Sequence, residues 1–318
     1  MPKTLIKTLK KCIFKASYVT MISVLIPIYN YCVVDLVREA HKQLVDSNLI
    51  FEILCLEDGS DEDFIKKNSA VKNLSNTALI VSKTNNGRIK SRKILSEKAK
   101  YDWLLFLDAD VMPKSNRFIL NYLESPYEKY DAVYGGFAYH DTQPEQQFTL
   151  RWKYGRSYEE VDAEVRNKKP YKVVISANFL VRKSTYTSIS SKINFDTYGT
   201  DIVLGVFLKE YAVKVFHINN EVYHLGIEDN LSFLHKKEQA ADILIKMIKD
   251  KKIKQHDNAM LSLFIILRRY GLHYLFMMLF KIFRSTMKRN LNGEKPIMAI
   301  LQLYRISYMC YSYIATKT

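Results

Sequence analysis

Glycine is scarce where a phosphate loop would need it. Between residues 1 and 100 it stands only at 59 and 87, which disfavours both a P-loop and a glycine-rich dinucleotide turn. Cysteine is equally thin. Cys12, Cys32, Cys55 and Cys310 are scattered, without the short spacing of metal ligands. With no signal peptide evident, reduced thiols in the cytoplasm are the simpler expectation. Long apolar runs are missing too. Met260–Leu267 and Leu272–Phe280 both fall short of the ~20 residues of a bilayer span. A single span across the intervening Arg268 and Arg269 would cost roughly 5–7 kcal/mol on an insertion scale.

Acids are short at the two ends only. Residues 1–20 hold five lysines and no acid, and residues 231–318 hold sixteen basic against five acidic side chains. The centre, 21–230, is balanced at 27 basic and 28 acidic, so the net charge of +15 belongs to the termini. Such ends suit an anionic membrane surface or a nucleic acid. The aromatics near the C-terminus sit among apolar runs, which favours lipid. In the N-terminal arm, Leu5, Ile6, Leu9 and Ile13 fall on one side of a helix among lysines, a pattern suited to an interface. The 48% apolar and 13% aromatic content of 318 residues predicts a folded chain with one large core or two modest ones.

The centre is organised around Trp103–Leu107, five apolar residues that run into Asp108-Ala109-Asp110. A continuous apolar run of this length predicts a strand buried on both faces. The carboxylates cannot follow it into a dry core, so the strand ends at Asp108. Residues two apart share a side, so Asp108 and Asp110 either converge on a divalent cation or form a polar turn. Two earlier strands behave alike. Ile22–Pro27 runs into Tyr29-Asn30, and Phe51–Leu56 into Glu57-Asp58-Gly59-Ser60. A third, Ala78–Val81, precedes the turn Asn85-Asn86-Gly87 and a basic helix from Arg88 to Ala99. Strands alternating with helices at this spacing predict an α/β fold with right-handed crossovers and a mainly parallel sheet. Ligands of such sheets sit at the carboxyl ends of the strands.

Pro27-Ile28-Tyr29-Asn30, Glu57-Asp58-Gly59-Ser60, Gly87 to Arg92 and Asp108-Ala109-Asp110 resemble, in order and spacing, the nucleotide-sugar half of family 2 glycosyltransferases. The resemblance covers about residues 22–113. It implies a GT-A fold, a nucleotide-diphosphate sugar donor (UDP-linked) and a divalent cation, Mn2+ or Mg2+. It also implies donor contacts from Pro27, Tyr29, Asn30, Asp58, Gly87, Arg92, Asp108 and Ala109. The family often has Arg-Asn where this chain has Arg92-Lys93, so only Arg92 is carried over, as a diphosphate contact. Asp108, Asp110 and His224 become the expected metal ligands, with Asp110 the direct one and Asp108 at the ribose or in an outer contact. His217 competes with His224. Imidazole beside carboxylate suits Mn2+ better than Mg2+.

Further along, helices are expected near 115–123 and from Asp201 to Leu208, and a strand at Asp131–Gly136. Val173–Val181 reads as strand, turn, strand. Phe195–Asp201 resembles the family segment whose last Asp is the catalytic base, which implies that role for Asp201, although Thr200 replaces the usual Glu. Trp152 and Asn178 are the expected acceptor contacts. The resulting division is an arm (1–20), a catalytic domain (21–230, with a donor half 21–113 and an acceptor half 114–230) and a basic, apolar helical extension (231–318). The extension's tyrosines, Tyr304, Tyr308, Tyr311 and Tyr313, fit a membrane interface, while packing as ordinary core on the domain remains open.

The function expected is inverting transfer of a sugar to a hydroxyl of a glycan or lipid-linked acceptor in cell-surface polysaccharide synthesis. The enzyme would rest peripherally on the inner face of the membrane and bind no nucleic acid. The alternatives are a membrane-surface nucleotide-sugar-binding protein without transfer activity, and a nucleotidyltransferase.

Overall fold

The computed structural model describes residues 21–192, 200–250 and 256–315, with residues 200–203 described by backbone alone. The basic arm, 1–20, lies outside the described residues. The first strand, β1 (Met21–Ile28), leads into α1 (Val34–Asp46), and β2 (Ile50–Asp58) into α2 (Glu62–Asn68) and a short 3-10 turn. Then come β3 (Thr77–Ser82), α3 (Arg88–Lys98), β4 (Trp103–Leu107), β5 (Val111–Pro113) and α4 (Phe118–Glu124). The strands β6 (Ala132–Tyr134) and β7 (Phe137–Ala138) precede α5 (Thr149–Tyr158) and α6 (Ala163–Lys168). They are followed by β8 (Asn178–Arg182), α7 (Lys183–Ser190), α8 (Thr200–Glu210), β9 (Val215–His217) and β10 (Val222–His224). Four helices close the chain: α9 (Asn230–Lys249), α10 (Ala259–Arg269), α11 (His273–Leu291) and α12 (Met298–Ala315).

Seven strands form one sheet in the order β3-β2-β1-β4-β8-β6-β9. The pairs β1–β2, β2–β3 and β1–β4 are parallel, while β8 runs antiparallel between β4 and β6. One sheet thus passes through both 21–113 and 114–230. Its central strands are mostly apolar because helices cover both faces, and the polar interruptions Ser23 and Glu52 hydrogen-bond to each other at 2.7 Å. Val24, Ile53, Leu105 and Leu107 pack on one face with α1 and α4. On the other, Leu25, Leu54, Leu104 and Phe106 pack with α3, α7 and α8. Phe106 stacks on Phe179 at 5.0 Å. The parallel register ends β1, β2 and β4 along one edge, which gathers Tyr29, Asp58 and Asp108 there.

A second, three-stranded sheet, β5-β10-β7, sits at that edge. β10 pairs antiparallel with β5, His224 opposite Val111. The Leu225 amide donates to the Asp110 carbonyl at 2.8 Å. This small sheet brings two positions 114 residues apart into contact.

Two sequence expectations are corrected. Within Val173–Val181 only the second half is strand, because residues 171–177 turn over the sheet edge before β8 begins at Asn178. The C-terminal tyrosines face protein rather than an interface. Tyr304 and Tyr313 are buried, Tyr308 donates to Asp242 at 2.9 Å, and Tyr304, Tyr308 and Tyr311 all contact the Phe280 ring.

Candidate active site

The turn after β1 is clipped to the turn after β2. Asn30 has φ +48°, and its amide donates to Ser60 Oγ at 3.0 Å. Its side chain accepts from the Asp61 amide at 2.8 Å and donates to Asp61 Oδ2 at 3.2 Å. Asn30 therefore shapes the loop and is not among the residues lining the cleft, which corrects its expected donor contact. Tyr29, 56% exposed, does line it.

Asp58 at the tip of β2 is buried and committed. Its Oδ1 accepts from the Asn86 amide (2.9 Å) and side chain (2.8 Å), and its Oδ2 from the Gly87 amide (3.0 Å). It borders the cleft by pinning the turn that starts α3. Gly59 and Gly87 have φ of +74° and +83°. A Cβ at Gly59 would lie 2.5 Å from the Asn85 nitrogen, so only glycine allows the two turns to approach this closely.

Asp108 at the tip of β4 faces two arginines of α3. Arg88 and Arg92 are one helical turn apart and so share a face. Arg92 donates to Asp108 Oδ1 and, at 3.1 Å, to the Ser176 carbonyl, while Arg88 Nη2 donates to Asp108 Oδ2 at 3.2 Å. The Arg92 side chain is only 6% exposed and that of Arg88 47%. Two expectations change. Arg92 is buried behind Asp108, and Arg88 is the arginine that lines the cleft. Asp108, with both oxygens taken, is not disposed as a metal ligand.

Asp110 points the other way. Its Oδ2 lies 3.3 Å from His224 Nε2. Burial pushes its pKa up, but the hydrogen bond and charge of His224 and the charge of Arg88 outweigh that and hold it below the usual carboxylate range. The imidazole stacks on Phe137 at 4.9 Å and 5°. Its Nδ1 lies 3.2 Å from Arg151 Nη2 and 3.3 Å from the Tyr139 hydroxyl. Arg151 and Tyr139 in turn both donate to Glu159. Burial raises the Glu159 pKa, yet the Arg151 and Lys237 charges bring it down to about 2. A Cβ at Gly226 would lie 2.4 Å from Asp110 Oδ2, so the bare glycine makes room for that carboxylate. His217, the competing ligand, is buried against Arg166 (2.9 Å) and the Pro170 carbonyl (2.8 Å), and burial lowers its pKa to about 4. It is a neutral structural histidine.

The pair Asp110–His224 fits a cation. Neighbouring ligands of an octahedral ion at about 2.1 Å stand roughly 3 Å apart, close to the 3.3 Å seen here. Among the described residues no group of three or more His, Cys, Asp or Glu side chains is so placed. The remaining positions would fall to water or to oxygens of a bound ligand.

Asp108, Asp110 and Arg88 border two recesses. One is lined by Pro27, Tyr29, Tyr31, Asp58, Gly87, Ser91 and Ala109. The other is lined by Phe137, Arg151, Tyr154, Tyr158, Glu159, Gly205, His224, Lys236 and Lys237, among others. The two acceptor expectations are corrected here. Trp152 turns its indole to the His140 carbonyl (2.8 Å) and lies outside the recess, whereas Tyr154 and Tyr158 of the same helix line it. Asn178 is fully buried and used at both ends. It accepts from the Tyr122 hydroxyl at 2.7 Å and donates to the Gly136 and Asn220 carbonyls at 3.0 and 2.8 Å. The Asp201 backbone is the second residue of α8, and its side chain lies outside the described residues.

Sequence reasoning passed over Arg88, Tyr139, Glu159 and the purpose of Gly226. The i, i+4 spacing of Arg88 and Arg92 was a usable signal. Arg151 stands out with Tyr154 and Tyr158 in a polar, aromatic segment suited to an acceptor groove, but Tyr139 and Glu159 had no signal, because only tertiary packing brings them to His224.

A mainly parallel sheet with acidic turns along its carboxyl edge, an Asp-x-Asp tip and a histidine returned to it by a small second sheet define the GT-A class of glycosyltransferase fold. Within that class the chain belongs to glycosyl transferase family 2, whose model matches residues 23–188. It is 32% identical over 135 residues to an uncharacterized glycosyltransferase of Haemophilus influenzae. The match covers 39% of this chain and 44% of that protein, less than half the relative's length. Among solved structures, S. aureus TarS 1-349 is similar with a TM-score of 0.46 at 16% identity, over 71% of this chain and 66% of that one. Glucosyl-3-phosphoglycerate synthase from Mycobacterium tuberculosis, in complex with Mn2+, UDP and glucosyl-3-phosphoglycerate, gives 0.49 at 14% identity, over 80% and 87%.

Proposed function

We propose that the chain is an inverting, metal-dependent glycosyltransferase. It moves a sugar from a UDP-linked donor to a hydroxyl of a glycan or lipid-linked acceptor in polysaccharide synthesis. The observation that carries this reading is the contact of Asp110 with His224, 3.3 Å, on the wall between two recesses. Residues 21–230 act as the catalytic body and 231–318 as its helical extension. Work at the inner face of the membrane is in keeping with the free thiols of Cys55 and Cys310 and with the basic ends.

In this reading the donor's nucleotide lies in the recess of Tyr29, Asp58 and Ala109. Asp110 and His224 hold Mn2+ or Mg2+, which when bound supplies a Lewis acid to the leaving diphosphate. Arg88 reaches from the cleft wall to diphosphate oxygens, and Asp108 keeps that guanidinium in position. Arg92 neutralises Asp108 from behind. The acceptor hydroxyl enters from the recess of Tyr154 and Tyr158 and attacks the anomeric carbon opposite the leaving group. Asp201 takes its proton as general base. In support, Gly205, one turn later on the same helix, lines that recess.

The test is a screen of nucleotide sugars for binding and donor hydrolysis, with and without Mn2+. The expected result is Mn2+-stimulated hydrolysis of a UDP-sugar that Asp110→Asn abolishes. Binding of no nucleotide sugar would end the reading. An Asp201→Asn variant should lose on the order of a hundredfold or more in transfer while retaining donor binding. Full activity in that variant would remove Asp201 from the base role.

A further inference from the structure

The helices α10 and α11 meet at 112° around Tyr270, Gly271 and Leu272. No single helix among the described residues is long and apolar enough to cross a membrane. The elbow instead turns apolar side chains outward. Ile266, Tyr270, Leu275, Met278 and Ile282 are each more than half exposed. On α11, residues 275, 278 and 282 form one stripe, and His273, Phe280 and Met287 form the buried stripe opposite. Ten of the large exposed apolar side chains fall between Leu263 and Phe283, far denser than the scattered apolar residues of an ordinary surface.

Charge decides what covers this patch. No acid occurs from residue 258 to 293, while Arg268, Arg269, Lys281, Arg284, Lys288 and Arg289 do. The arm 1–20 carries five lysines and no acid, and a second copy would present the same basic elbow, so both candidates bring like charge to like. An anionic lipid surface brings the opposite sign, and its acyl region takes the apolar stripe.

We infer that the α10–α11 elbow inserts into the interface of an anionic bilayer, with Tyr270, Leu275, Met278 and Ile282 among the acyl chains. The elbow also has a fixed relation to the site. Asn258, which caps α10, and Asp257 before it line the acceptor-side recess. The 11 residues of α10 span about 16 Å at 1.5 Å each. Insertion therefore holds the recess within about that distance of the bilayer. Resting on the reading above, this makes the acceptor a membrane-anchored saccharide rather than a soluble one.

The experiment is flotation of the full chain with phosphatidylethanolamine–phosphatidylglycerol vesicles, washed in about 1 M salt, where the screening length is only about 3 Å. The wild type is expected to stay bound through the wash. The variant Leu275→Asp/Met278→Asp/Ile282→Asp is expected to lose on the order of tenfold or more in partitioning per acid. The substituted positions are all exposed, and an unchanged far-UV spectrum and donor hydrolysis would verify the fold. A Met278→Trp variant should be quenched by brominated lipid. Equal flotation of variant and wild type, or failure of the wild type to float, overturns the inference. So does a dimer in sedimentation that the triple variant dissociates, since a second copy would then be the occupant. Donor hydrolysis without flotation sinks the elbow alone, whereas flotation without nucleotide-sugar binding sinks the enzymatic reading alone.

Discussion

At the scale of single residues, the two arginines on Asp108 carry different loads. Arg92 and Asp108 form a buried pair, and removing one partner leaves an uncompensated buried charge. Arg92→Ala is therefore expected to lower unfolding free energy by about 3–5 kcal/mol, measured by urea denaturation. Arg88 is half exposed at the cleft wall. Arg88→Ala should leave the melting temperature nearly unchanged and weaken donor binding on the order of tenfold to a hundredfold, read by calorimetry. Equal stability losses in the two variants would contradict the division. Gly226 supplies a third test of geometry. A methyl there meets Asp110 Oδ2 at 2.4 Å, so Gly226→Ala must push the carboxylate off His224. Mn2+ affinity should fall, and because Asp110 Cβ would also lie only 2.7 Å from the added methyl, unfolding free energy should drop by about 1–3 kcal/mol as well. The charged shell behind His224 gives a pH signature. The Glu159 pKa is lowered from an ordinary 4.5 to about 2. A carboxylate depressed in the fold contributes stability above its unfolded pKa and loses it as pH falls through the folded one. Wild type should thus lose stability between about pH 4.5 and 2. Glu159→Gln should flatten that part of a Tm-versus-pH curve.

At the scale of elements, the outcome separates along the length of the signal. β1, β2 and β4 were legible because each is a mostly apolar run buried on both faces, interrupted only by Ser23 in β1 and Glu52 in β2, and each runs into polar residues at its carboxyl end. Their parallel register then follows from the crossovers. The polar edge was legible for the same reason, since Asp58 and Asp108 fall at strand ends; both stay buried there because the Asn86 and Gly87 amides and the Arg88 and Arg92 guanidiniums pair them. The small sheet β5-β10-β7 was not. Its strands are two or three residues long, too short for any period, and their partners lie more than 80 residues away in sequence, as far as His224 is from Val111. His224 could be proposed by resemblance, but the ring of Phe137, Tyr139, Arg151 and Glu159 that fixes its orientation is a product of packing. Asn178 shows the reverse error. A polar residue at the start of a strand was read as a ligand contact, yet it closes hydrogen bonds from α4, the β6–β7 turn and the segment before β10. Asn178→Ala would remove the acceptor of the Tyr122 hydroxyl and the donor to the Asn220 carbonyl, and leave the Gly136 carbonyl only the Val222 amide at 3.3 Å. Each buried unsatisfied group costs about 1–3 kcal/mol, so this variant should be among the least stable single substitutions in the chain. Trp152→Phe, which gives up one bond to a carbonyl at the edge of the fold, should be mild by comparison in the same denaturation assay.

At the scale of the whole molecule, the C-terminal helices divide their surfaces between two tasks. One side completes the protein. Leu301, Tyr304, Met309, Cys310 and Tyr313 of α12 are buried with residues of α9, α10 and α11 in two apolar clusters. Tyr308 and Ser312 both donate to Asp242 of α9, at 2.9 and 2.5 Å. α9 is also a wall of the acceptor-side recess, through Lys236, Lys237 and Ala240. It is joined to α5 by Asn230, whose Oδ1 accepts from the Leu150 amide at 2.9 Å. A chain of contacts therefore runs from the last helix through α9 to the recess that α5 lines with Arg151, Tyr154 and Tyr158. Removing residues 298–318 would strip one side of both clusters and leave Asp242 without its hydroxyl donors. Loss of large buried side chains costs about 2–5 kcal/mol each, and five such residues together approach or exceed the 5–15 kcal/mol that holds a typical domain folded. The truncated chain is expected to be insoluble, or to melt well below the full chain and lose acceptor transfer before donor binding. The donor recess, by contrast, is built by β1, β2, β4 and α3 and touches none of these helices. A truncation that remained as stable as the full chain would mean that α12 is an accessory. Selective survival of nucleotide-sugar binding, read by calorimetry on whatever soluble fraction forms, would locate the dependence where the contacts put it, on the acceptor side.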